Sequence, residues 1–160
     1  TLELRVARHP SETIPYLLTR VIARALHTSD DVEFSKGGLS DPDEPALIGS
    51  DLTGRVLLWI EVGSPSPDRL HKASKAIGNV VVYCHKDASL LAAAVVKAKV
   101  HKAEEIAIYG VDGAMLDELG ETLSRNNEWG VVRTEGQLFI TVGERSFMFE
   151  IDKELIEATS

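Results

Sequence analysis

One carboxylate, Glu61, is the residue best placed by the sequence to do chemistry. It follows Val56-Leu57-Leu58-Trp59-Ile60, a run apolar on both faces of a strand. An unpaired carboxylate there costs several kcal/mol, so it must be protonated, paired with a base or bound to a metal. If Asp51–Gly54 form a four-residue loop, Ser50 pairs with Arg55 and Glu61 falls opposite Glu44, next to Asp43 in the cluster Asp41-Pro42-Asp43-Glu44-Pro45. Cross-strand partners point to one face with Cβ atoms about 5 Å apart. Two carboxylates that close repel unless a cation sits between them, and hard oxygen donors suit Mg²⁺ or Mn²⁺. The plainer alternative is a salt bridge from Glu61 to a nearby Arg or Lys. Both readings stay open, because structural ion pairs also bury carboxylates.

Arg69, Lys72 and Lys75 follow at three-residue spacing on the next helix, which places them near one face. Such a cation could orient an attacking water or steady a phosphate charge, or simply face solvent. Glu12, at a helix start, could turn toward the site or merely answer the helix dipole. Arg8 and His9 divide in the same way between substrate contact and support of the helix start. Other constellations are weak. The five histidines never pair at metal-ligand spacing, and HExxH, GxSxG, P-loop and GxGxxG patterns are absent. Lys97, Lys99, His101 and Lys102 read as a solvated helix end. Cys84, in an apolar strand, reads as a core residue.

The elements that must position these groups follow from period and punctuation. Residues 2–7 alternate as a strand. Ser11 is the expected N-cap of a helix running to His27, with Leu17, Leu18, Val21, Ile22 and Ala25 inward. Residues 32–36 read as a strand, and 44–50 with 55–62 as a hairpin whose second strand lies centrally in the sheet. Helices are expected over 67–77, 88–99 and 113–124, alternating with strands at 80–84 and 105–110. From about residue 129 three strands with Gly-bearing turns form an antiparallel meander. The order predicts an α/β (α+β) fold, a mixed central sheet flanked by helices with a C-terminal meander, as a single domain over 1–160.

Composition agrees. With 160 residues, 44% hydrophobic and 26% charged, the chain can bury a sizeable core. No apolar run approaches the roughly 20 residues that span a bilayer, and the opening TLELRVARHP lacks a secretory core, so a cytoplasmic protein without membrane contact is expected. The single cysteine excludes an internal disulfide. A net charge of −8 disfavours broad coating of nucleic acid and leaves only a local patch for that partner.

The motifs ARHPSET (7–13), DEPAL (43–47), DLTG (51–54), LWIEVG (58–63) with Pro65, and RLHKAS (69–74) resemble the bacterial YaeQ family, over about residues 4–85 and more loosely beyond. YaeQ proteins resemble the PD-(D/E)XK nuclease superfamily, which implies a restriction-endonuclease-like core of helix, three strands, helix and strand. In that superfamily an acid on one hairpin strand and a Glu-x-Lys on the next bind Mg²⁺ beside the scissile phosphate. Glu61 matches the Glu of that motif. Glu44 takes the place of the first acid, ahead of Asp43, and Glu12 matches the acid often supplied by the first helix. The lysine position holds Gly63, so the resemblance points to Lys72 on the neighbouring helix, with Arg69 behind it. It therefore implies either an Mg²⁺- or Mn²⁺-dependent phosphodiesterase acting on DNA or RNA, or a catalytically silent module binding nucleic acid or a protein partner. Fold alone confers neither activity.

Overall fold

Apolar alternation and capping side chains set the elements of this chain. The computed structural model describes residues 6, 8, 12–28, 31–35, 44–154 and 156. Apart from Val6, the expected strand over 2–7 lies outside them, as do His9, Ser11 and Asp43.

Helix α1 spans Ile14–Leu26, with Thr13 as its N-cap: the Thr13 hydroxyl accepts from the Tyr16 N–H at 3.2 Å, and Pro15 sits in the first turn. The cap expected at Ser11 is thus two residues later. The buried face is Leu18, Ile22, Ala23 and Leu26, while Leu17, Val21 and Ala25 are half-buried, so the helix is rotated slightly from the expected stripe.

Strands β1 (Val32–Phe34), β2 (Leu47–Ser50), β3 (Val56–Val62), β4 (Val80–Cys84), β5 (Ala107–Gly110) and β9 (Asp152–Lys153) form one mixed sheet in the order β1-β2-β3-β4-β5-β9. The pairs β3–β4 and β4–β5 are parallel; the others are antiparallel. Helices α2 (Pro67–Ala76) and α3 (Ala88–Lys97) connect the parallel strands. Strand β4 is buried along its length: Val81 and Tyr83 join the core shared with α1, and Val80, Val82 and Cys84 join the core under α2 and α3. That two-faced burial explains its unbroken apolar sequence.

Helix α4 (Gly113–Gly120) and a second sheet of β6 (Gly130–Thr134), β7 (Gln137–Val142) and β8 (Arg145–Glu150) complete the architecture. Leu138, Ile140, Phe147 and Phe149 turn inward against the core of α1 and α4, and Arg133 donates to the Leu26 carbonyl at 2.8 Å. The meander is therefore a separate layer closing one face, not an extension of the central sheet. Among the described residues no helix is long and apolar enough to cross a membrane.

The hairpin register differs from the expected one. Leu47 pairs with Ile60 and Ile48 with Trp59, while Ser50 pairs with Val56 across an irregularity at Gly49/Ser50. The cause is local. Asp51 Oδ1 accepts from the Thr53 N–H (2.9 Å), the Thr53 hydroxyl (2.6 Å) and the Arg55 N–H (3.0 Å), so the turn keeps Arg55 out of the ladder. Leu57 is then the extra residue of a bulge and stands 48% exposed. Continued one step beyond Leu47 and Ile60, this register puts Glu61 level with Ala46, so the expected Glu44–Glu61 opposition does not form.

Candidate functional site

Glu61 and Trp59 are two apart on β3 and so share a face, the one covered by α2. Glu61 is 5% exposed. Its Oε1 accepts from Trp59 Nε1 at 2.8 Å and its Oε2 from Arg69 Nε at 2.7 Å, distances typical of charge-assisted bonds. Arg69 reaches it from the first turn of α2, where the Ser66 hydroxyl caps the helix by accepting the Arg69 N–H at 3.1 Å. The same guanidinium donates to the Glu44 carbonyl and so ties the start of β2 to α2.

A second pair lies at the start of α1. Glu12, 2% exposed, receives Arg20 Nε at 2.9 Å and Nη2 at 3.1 Å, a bidentate clasp from two turns along the helix. Arg20 also lies over the Phe34 ring at 5.1 Å, and Arg8 Nε donates to the Glu12 carbonyl at 2.9 Å.

Tyr16 joins the two pairs. Burial raises its phenol pKa, the carboxylates of Glu61 and Glu12 raise it further, and Arg20 and Arg69 oppose them, so all four charges act on one ring. Tyr16 meets His85 edge to face at 6.4 Å and lies beside Gly63, where a Cβ would stand 3.5 Å from its ring. Gly63 has φ +92°, a conformation that a side chain strains. The lysine position of the expected motif is thus a backbone bend under Tyr16. Burial, then the charge of Lys86, lowers the His85 pKa. The cluster sits at the carboxyl ends of the parallel strands β3 and β4, the end at which open α/β sheets bind ligands.

The structure brings Glu12, Glu61, Arg69, Arg8 and the Glu44 main chain into this region. It does not bring Lys72. That side chain is 77% exposed, with its Nζ 3.3 Å from Asp68 on the outer surface of α2. Three residues turn a helix by 300°, so the row Arg69, Lys72, Lys75 drifts 60° per step away from the sheet. Tyr16, Trp59 and His85 were not anticipated, and Arg20, a candidate partner for Glu61, is paired with Glu12 instead. Of these, only Trp59 left a sequence signal, its position two residues before Glu61.

An ion of the Mg²⁺ kind does not fit this donor set as it stands. Both oxygens of Glu61 and both of Glu12 already accept from arginine or tryptophan. Among the described residues no group of three or more His, Cys, Asp or Glu is disposed to hold a metal. Elsewhere, a cavity of about 630 Å³ opens between the starts of α3 and α4 and strand β8. Two of its carboxylates are occupied as helix caps: Asp87 Oδ1 accepts the Leu90 N–H at 3.0 Å, and Asp112 Oδ1 the Ala114 N–H at 2.9 Å.

A family model described as "YaeQ protein" matches residues 1–151. The "Uncharacterized protein YaeQ" of Salmonella typhi is 27% identical over 140 residues, 86% of this chain and 76% of that protein. Its Escherichia coli K12 namesake is 32% identical over 82 residues, 51% of this chain and 45% of that protein. The crystal structure of YaeQ from Pseudomonas syringae superposes with TM-score 0.85 at 31% identity, covering 96% of this chain and 85% of that one. YaeQ from Xanthomonas axonopodis pv. citri gives 0.84 at 28%, covering 96% and 87%. The chain belongs to the YaeQ family.

Proposed function

We propose that this chain is a binding module on a nuclease-like scaffold of the PD-(D/E)XK kind, in which metal-dependent phosphodiester hydrolysis has been lost. The observation that carries the reading is the double commitment of Glu61 to Trp59 and Arg69. Mg²⁺ demands carboxylate oxygens at about 2.0–2.1 Å in near-octahedral geometry. A bidentate seat on Glu61 would displace both hydrogen bonds to the carboxylate, roughly 3–6 kcal/mol in all, and weaken the ion by roughly 100- to 20,000-fold. Glu61 is then a structural clasp between the sheet and α2.

The competing reading is a Mg²⁺- or Mn²⁺-dependent nuclease. Glu44 and Glu61, with Asp43, would hold the ion, Glu12 would add a water-mediated contact, and Arg8 would meet the substrate. Arg69, not the outward Lys72, would then be the cation of the site. What favours this second reading is that Glu12 and Glu61 are both buried carboxylates whose charges act on the one phenol of Tyr16.

Incubation with supercoiled plasmid and with single-stranded RNA, in Mg²⁺ or Mn²⁺, separates the two. The expected result is no turnover above that of Glu61→Gln. Cleavage by the wild type that disappears in a folded Glu61→Gln variant would overturn the binding-module reading.

A further inference from the structure

The loop after α3 does not behave as a solvated helix end alone. It is pinned onto α2: the His101 N–H donates to His71 Nδ1 at 2.9 Å, the Ser74 hydroxyl donates to the His101 carbonyl at 2.6 Å, and the two imidazoles meet edge to face at 6.3 Å. Val100 and Ala103 anchor it in the core beneath. Lys75 lies one turn beyond His71, and Lys99 and Lys102 flank His101, so these contacts gather lysines from two separate segments. With Lys97 at the end of α3, the four form an exposed basic ridge.

Three features set this ridge apart on a chain of net charge −8. Among the described residues none of the four lysines makes an ion pair, whereas Lys72 beside them is paired with Asp68. Glu104 and Glu105 stand two and three residues after Lys102, in the turn that Lys102 begins, and pair with none of the four. Lys99 and Lys102 are also the only non-glycine residues with positive φ among those described, at +54° and +48°. At Lys99 it is the left-handed end of α3, where the Val100 N–H bonds the Val95 carbonyl and the Lys99 N–H that of Val96, and Lys102 enters the next turn, so both lysines stand exposed on the bend. Finally, residues 67–77 and 97–105 contain no Phe, Tyr or Trp. Single strands are held by stacking on such rings, so a ridge of bare ammonium groups suits the phosphates of a duplex.

We propose that Lys75, Lys97, Lys99 and Lys102 form a contact surface for the phosphate backbone of duplex DNA. The inference rests on the binding-module reading above and names the partner and the face. Binding of this kind is independent of sequence and falls with salt, because each neutralised phosphate releases condensed counterions.

The test is fluorescence anisotropy of the full chain with a short fluorescein-labelled, mixed-sequence DNA duplex. Four phosphate contacts give a slope of log affinity against log salt of about −3.6, a loss on the order of 100-fold between about 50 and 200 mM salt. Lys99→Ala/Lys102→Ala is expected to flatten that slope by about 2. Lys75→Ala/Lys97→Ala, whose positions are helical and unstrained, is expected to do the same with circular dichroism unchanged. Absence of saturable wild-type binding at about 50 mM salt, or equal slopes in the wild type and both double variants, overturns the inference. Tighter binding to an RNA duplex of the same sequence overturns its assignment to DNA. Glu61-dependent cleavage would remove the module reading whatever the ridge variants do. Unchanged binding by those variants, without cleavage, removes only the ridge.

Discussion

Arg69→Met is expected to destabilise the fold by about 3 kcal/mol in urea denaturation, the lower end of the cost of breaking a buried ion pair. The physical reason is asymmetry. Glu61 has a side chain only 6% exposed, and once Arg69 is gone its carboxylate keeps Trp59 Nε1 as its remaining assigned donor. The lower end applies because Arg69 itself is 26% exposed, so water can partly replace it. The Glu44 carbonyl loses a donor as well, which loosens the start of β2. Glu61→Gln in the Arg69→Met background removes the buried charge yet keeps an amide oxygen for Trp59. This double variant is expected to recover most of the loss. A single-variant loss below about 1 kcal/mol would mean that water already reaches the carboxylate, and that the pair is a surface pair in energetic terms.

Phe149→Ala is expected to cost about 4 kcal/mol, since Phe149 is 0% exposed and large aromatic truncations in cores cost roughly 3–5. Its ring pairs across β7 with Leu138 and belongs to the same core as Leu18 and Ile22 of α1 and Leu116 and Leu119 of α4. The loss should therefore appear in a single cooperative transition, with the denaturant slope unchanged. A separate early transition, with the central sheet unfolding at the wild-type midpoint, would show instead that the meander is an independent layer. Phe139, across from Met148 on the outer face and 38% exposed, serves as the control, and Phe139→Ala should cost far less.

How far this arrangement could be read in the sequence differs from residue to residue. Strand β4 was legible because burial on both faces leaves no alternation to misjudge, α2 and α3 from period and punctuation, and β3 from its unbroken apolar run, although only its last three residues are buried. Glu61 was legible as buried for the same reason: nothing in its neighbourhood is polar enough to hold it near water. Its partner was not. Spacing places Arg69, Lys72 and Lys75 near one helical face, but which turn meets the sheet depends on the entry angle of α2, set by Pro65, Pro67 and the bend at Gly63. The hairpin register escaped because the Asp51 side chain, by accepting three hydrogen bonds, lengthens a turn that reads as four residues. A side-chain acceptor of that kind leaves no periodic mark. Strand β9 has two residues, too few for any period, and exists through its pairing with Tyr109 and Gly110. The Glu12–Arg20 clasp spans two helical turns and was hidden by the plainer role of Glu12 at a helix start. The basic ridge needed tertiary contacts, because the helix of Lys75 is joined to the 97–102 segment by the bonds of His71 and Ser74 to His101.

The central claim is that Arg69 and Trp59 hold Glu61 in a closed clasp that no divalent ion enters. Calorimetric titration of the wild type with Mn²⁺, beside Glu61→Gln, tests it most directly. The expected result is no saturable binding by either protein at millimolar Mn²⁺. Saturable binding by the wild type that is lost in a folded Glu61→Gln variant would contradict it, and would place the ion on the carboxylate that the clasp is claimed to close.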